Sequence, residues 1–217
     1  MWCSFGFRRT QRAPDPLQAD TPPMDARRRI CGAALAALAT ELLPVAQAGS
    51  DPAWTQAASA RWLAQQGLRM SLRGEGQLRW LGLAVYQARL WCAENFDPLR
   101  WDQHDFALEL IYARSLSGAR IAETSLELMQ AQRAAREDVA ARDATWLRLM
   151  RTSFPDVQAG NRILGLHGGS QTGCRFVHNL RQTGETSDAE FARAFFAIWL
   201  DPRTREPGLR KALLGLA

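Results

Sequence analysis

The chain has 217 residues, 47% of them apolar and 23% charged, which excludes a disordered polymer and suits one domain with a real core. Its net charge of +5 invites a nucleic-acid reading. The excess is partly local, however: residues 1–48 hold six arginines against four acids, and beyond them 21 basic residues face 18 acidic ones with no arginine block. That points away from nucleic acid, because such binders concentrate charge on one face.

In chain order, residues 1–23 read as an extension upstream of the natural start. Met24 opens "MDARRRICGAALAALATELLPVAQA": three arginines, an apolar stretch and a closing Ala46-Gln47-Ala48. This is the layout of a secretory signal peptide over 24–48. The apolar stretch is too short to span a bilayer comfortably. The expected product is a domain over 49–217, exported to the periplasm or secreted, with no stable membrane insertion once the signal is cleaved. Cys92 and Cys174 remain in that domain; they read as two buried thiols or as a pair.

Within the domain, "AWTQAASARWLAQQ" predicts a helix with Trp54, Ala58 and Trp62 on one side. From Leu68 the pattern predicts a strand, a glycine turn at Gly74–Gly76 and a long second strand, whose two faces are both mostly apolar and so covered on both sides. One face of that strand lines up Gly82, Ala84 and Ala88 around Tyr86. Small residues there admit a close-packed helix or a ligand. "FALELIYAR" predicts a third strand carrying Phe106, Leu108, Leu110 and Tyr112 on one face. Helices follow from Ser117 and through Trp146, Met150 and Phe154, stopped by Pro155. "NRILGLHGGSQTGCRFVHNLRQTG" predicts two short strands around a glycine-rich turn. Ser187-Asp188-Ala189-Glu190 is a capping box for a helix striped with Phe191, Phe195, Ile198 and Trp199; Pro207 opens the last helix and Gly215 closes it. The element order predicts an α+β fold with an antiparallel sheet.

Several constellations invite chemistry and lack its full set. In "GLHGGSQTG" the last glycine is followed by Cys174 rather than by the lysine of a phosphate loop, so the segment reads as a hairpin loop. His167 would face Cys174 across that hairpin, with His178 beyond, but nothing completes a metal set. Ser170 lacks the glycine frame of a nucleophile elbow. Arg203 and Arg205 read as ties for the corner before the last helix, not as a site.

The stretches "GEGQLRWLGLAVYQARLW", "FALELIYARSLSGARIAE" and "DAEFARAFFAIWLDPRTREPGLRKALLG", in that order, resemble the bacterial chalcone isomerase-like family over Gly67 to Gly215. The resemblance implies a curved antiparallel sheet with a layer of helices on one face, an open-faced sandwich with a ligand cleft between the layers. It implies two functional groups: plant enzymes that close a chalcone to a flavanone, and non-catalytic binders that grip a fatty-acid carboxylate with an arginine and a tyrosine. The family's glycine turn, arginine and valine–tyrosine pair fall on Gly74, Gly76, Arg79, Val85 and Tyr86. Arg73 competes with Arg79, since it precedes a glycine as the plant arginine does. Within one regular strand Arg79 and Tyr86, seven apart, would face opposite ways, so a bulge near Gly82 is needed to unite them.

The plant enzymes' helix-borne tyrosine and asparagine have no counterpart; Glu123, Thr124, Glu127 and Gln130 stand on that helix. The expectation is therefore a non-catalytic binder of a small apolar carboxylate, needing no cofactor or metal. A guanidinium and a phenol in an apolar cleft suit such an acid. Its rivals are an isomerase acting on a phenolic ligand through the same two residues, and a ligand-free scaffold whose cleft is filled by bulky side chains.

Overall fold

The computed structural model describes residues 55–133, 139–169 and 172–216. The signal-peptide reading, Trp54 and Ser170 lie outside them. Six strands form one antiparallel sheet in chain order: β1 (Ser71–Trp80), β2 (Leu83–Cys92), β3 (Asp105–Tyr112), β4 (Arg162–Gly168), β5 (Cys174–His178) and β6 (Arg181–Thr186). The sheet is open and curved, and the fold is the expected α+β.

Four helices lie on one face: α2 (Gly118–Ala131), α3 (Ala140–Ser153), α4 (Ala189–Leu200) and α5 (Pro207–Leu214). The main core sits between them and the sheet. Ala88, Leu90, Phe106, Leu108 and Phe176 meet Met129, Trp146, Phe191 and Phe196 there. The sheet's other face carries a smaller core, where Leu63 of α1 (Gln56–Gln65) packs with Trp91, Ala107, Leu164, Leu166 and Val177. The middle strands are thus covered on both sides, as their two apolar faces require.

Local chemistry sets the helix limits. Ser117 caps α2 through the Arg120 amide, and Pro155 follows α3. The cap of α4 is Asp188, one residue past the expected Ser187; its carboxylate accepts from the Phe191 amide at 2.9 Å and from the Trp146 indole at 2.9 Å. Pro207 starts α5, and Gly215 ends it in the left-handed region at φ 63°.

Two sequence expectations change. Gly74 and Gly76 do not make a turn: they lie inside β1, and the chain reverses at Leu81–Gly82, both with positive φ. A glycine in a strand also serves close approach, and a Cβ on Gly74 would stand 2.1 Å from the Ala212 carbonyl oxygen of α5. The second change is β6, hidden behind a two-residue turn at Asn179–Leu180 that the alternating pattern did not mark. Cys92 and Cys174 are both free and buried, and burial pushes each thiol up to about 12.

Candidate functional site

The chain's two tyrosines face each other across the sheet. Tyr86 of β2 is the register partner of Tyr112 of β3, and their rings meet edge to face with centroids 6.0 Å apart. Both point into the helix-covered core. The indole of Trp199, on α4, donates to the Tyr86 hydroxyl at 2.9 Å. Because that oxygen accepts, its own hydrogen stays available to donate. The Tyr112 hydroxyl makes no hydrogen bond among the described residues, although Tyr112 is only 3% exposed.

Burial pushes both phenols well above the ordinary phenol range. The Trp199 bond partly offsets this at Tyr86 and the nearby Glu206 carboxylate adds to it, while Tyr86 adds to it at Tyr112. Each is therefore a neutral hydrogen-bond donor at physiological pH, not a base. Both hydroxyls keep a hydrogen to donate, and neither oxygen is a sealed polar atom lacking a partner; an acidic oxygen is a suitable acceptor for such donors.

Arg79 is not on the same strand as Tyr86, because the turn intervenes. It pairs across the hairpin with Ala84, and Leu78 pairs with Tyr86. One extra residue, Val85, is accommodated there, so a bulge does exist beside Tyr86. It brings Arg79 next to the Tyr86 register position without joining the side chains: Arg79 is exposed, and its Nη1 donates to the Gly82 carbonyl at 3.1 Å. Arg73 lies at the opposite end of β1, roughly 17 Å from Leu78 along the strand. Its Nε donates to the Leu214 carbonyl at 3.0 Å, fastening the last turn of α5.

The helix positions that stand in for plant-type substrate residues turn elsewhere. Glu123 pairs with Arg151 at 2.7 Å, Gln130 donates to Asp143 at 2.7 Å, and Thr124 and Glu127 are exposed. A cavity of about 970 Å³ opens among α2, α3 and α4, away from the tyrosines. Trp146 lies in its wall with Arg133 and Arg142 over its ring, each guanidinium paired to an acid, Asp143 and Glu190 respectively. The hairpin histidine is a core side chain: His167 pairs in register with Cys174 and stacks on Phe106 at 4.7 Å. Burial lowers its pKa, keeping it neutral. Among the described residues no group of three His, Cys, Asp or Glu side chains is placed to hold a metal ion.

Sequence reading missed Tyr112 and Trp199 as members of this cluster. Both fall in apolar stripes of their elements. The available signal was tyrosine scarcity: two phenols in the whole chain, each on the core face of its strand.

Three comparisons bear on this arrangement. The family model described as chalcone isomerase-like matches residues 55–215. Nothing among curated proteins matches the chain. Among solved structures, the crystal structure of an Arabidopsis thaliana fatty-acid binding protein, AtFAP1, superposes with a TM-score of 0.53 at 11% identity, covering 67% of this chain and 86% of that one. At that identity the likeness shows the fold alone.

Proposed function

The chain belongs to the chalcone isomerase-like family, and from that premise we propose that it is a non-catalytic, exported binding protein for a small apolar molecule bearing an acidic group, such as a fatty acid. The observation that carries this reading is the pair of buried, neutral phenol donors, Tyr86 and Tyr112, in an apolar shell between sheet and helices. Tyr86, polarised by Trp199, donates to the acid; Tyr112 supplies a second donor; Arg79, exposed beside the Tyr86 register position, supplies charge. A protein of the same fold, AtFAP1, is by its title a fatty-acid binder. No polar side chain of α2 faces the sheet except Ser125, whose hydroxyl returns to the Ile121 carbonyl. That leaves a ring closure without a second group to act on the substrate.

Native purification of the full chain, solvent extraction and mass spectrometry test the proposal. A fatty acid should leave with the wild type. Loss of one charge-assisted hydrogen bond is worth about 1.5–3 kcal/mol, so Tyr86→Phe and Arg79→Ala should each weaken retention by roughly 10- to 150-fold. Arg73→Ala should retain the ligand. An empty wild-type extract, or turnover of a chalcone by the purified protein, sinks the reading. Export belongs to the same proposal: the intact mass of protein recovered from the periplasm should correspond to a start near Gly49, and an uncleaved Met24 terminus would contradict it.

A further inference from the structure

We propose that the β1–β2 hairpin tip, Trp80-Leu81-Gly82-Leu83, docks this protein on a lipid bilayer by entering its headgroup region. The tip projects: β3 begins to pair with β2 only at Tyr86, with one further bond from the Ala113 amide to the Val85 carbonyl. Beyond that point two strands stand alone. Three large apolar side chains cover them, with Trp80 66%, Leu81 83% and Leu83 60% exposed. Among the described residues none packs over these groups, and clustered exposed apolar surface marks an interaction site.

The turn itself shows that leucine is not there for folding. Leu81 and Gly82 have φ of 49° and 80°, the left-handed pair of a two-residue hairpin turn. Asn, Asp or Gly suits the first of these positions. Another such turn among the described residues places Asn179 there, at φ 45°. At the β1–β2 tip the same strained position carries a leucine that is almost wholly in water.

A convex apolar point fits a soft surface better than a rigid groove, and its composition suits the lipid interface. Tryptophan prefers the headgroup level, leucine the acyl boundary just below, and arginine the anionic rim. Arg79 is exposed within the tip, and Arg114 is exposed on the segment that pairs with Val85 through Ala113. No acidic residue occurs between Gln77 and Gln87. The occupant so described is a bilayer containing anionic lipid. The proposal stands independently of what the tyrosines hold.

The test uses the full chain with vesicles of phosphatidylcholine alone and with added phosphatidylglycerol. Because residues 1–48 contain an apolar stretch of their own, the informative quantity is the difference between wild type and tip variants. Leu81→Asn removes the apex side chain and suits the left-handed position, so its melting temperature should equal or exceed the wild type's. Its vesicle affinity should nevertheless fall about tenfold. Brominated lipid should quench wild-type tryptophan fluorescence, and Trp80→Phe should remove part of that quenching. Binding that is absent from wild type, or unchanged in Leu81→Asn and Leu83→Ser, overturns the proposal. Tip-dependent self-association in sedimentation overturns it too, by assigning the tip to a second copy. Tip-dependent vesicle binding with an empty solvent extract would leave this inference standing while the ligand reading fell.

Discussion

Glu109→Ala should lower the stability of the domain by about 3–5 kcal/mol, the cost of breaking a buried ion pair from one side. Glu109 sits on β3 with no exposed surface, facing α1. Its Oε1 accepts from the Ser59 hydroxyl at 2.7 Å and from the Arg162 guanidinium; its Oε2 accepts from the Trp91 indole at 3.1 Å. Arg89 adds charge at 4.0 Å. Alanine strips all of these donors of a carboxylate at once, beneath the helix and with Arg162 only 3% exposed. For a domain of this size the melting temperature should fall by roughly 6–20 °C. The control is the double replacement Glu109→Leu with Arg162→Leu, which should cost less than Glu109→Ala alone, since a buried ion pair replaced whole by apolar side chains costs less than one broken from one side. If Glu109→Ala melts within a degree or two of wild type, α1 is not held by this carboxylate and the second layer is not part of the cooperative unit.

That network also shows where sequence reading stops. The strands and helices were legible because each announces itself within a few residues: alternation along Phe106–Tyr112, a serine cap before Gly118, Pro207 before α5 and Gly215 after it. The Glu109 network joins Ser59, Trp91 and Arg162 across strand pairings that no local pattern encodes. The same limit hid the partnership of Tyr86 with Tyr112, which depends on β2–β3 register. Trp199 carried two jobs that look alike in sequence, filling a core stripe and presenting an N–H. Family resemblance supplies Arg79 and Tyr86 but not the geometry between them. A reversal placed at Gly74 and Gly76 puts the true turn at Leu81–Gly82 in the middle of a strand. Glycine permits both a turn and a close helix, and only the packing of α5 distinguishes them.

Gly74→Val puts that distinction to measurement. Valine is a better strand former than glycine, so if Gly74 mattered only as a strand residue, the substitution should stabilise the protein. The structure requires the opposite. A Cβ at this position would lie 2.1 Å from the Ala212 carbonyl oxygen and 2.6 Å from that of Leu213. Both are backbone atoms of α5, which no rotamer change can move aside. The helix must lift from β1, exposing Leu209 and Leu213 and pulling Leu214 away from Arg73. Overpacking of this kind costs about 3 kcal/mol, near the top of the usual range, and should show as a lowered urea midpoint with faster proteolytic release of the C-terminal segment. Gly76→Ala should cost less, because its nearest obstacle is the Leu209 Cδ1 atom at 2.7 Å, the end of a flexible side chain. The effect should also reach the tyrosines: Glu206, at the start of α5, acts on the Tyr86 hydroxyl, so a lifted helix alters the cluster that the ligand acid would meet. A Gly74→Val protein as stable as wild type would mean that the motif's first glycine serves the backbone and not the helix.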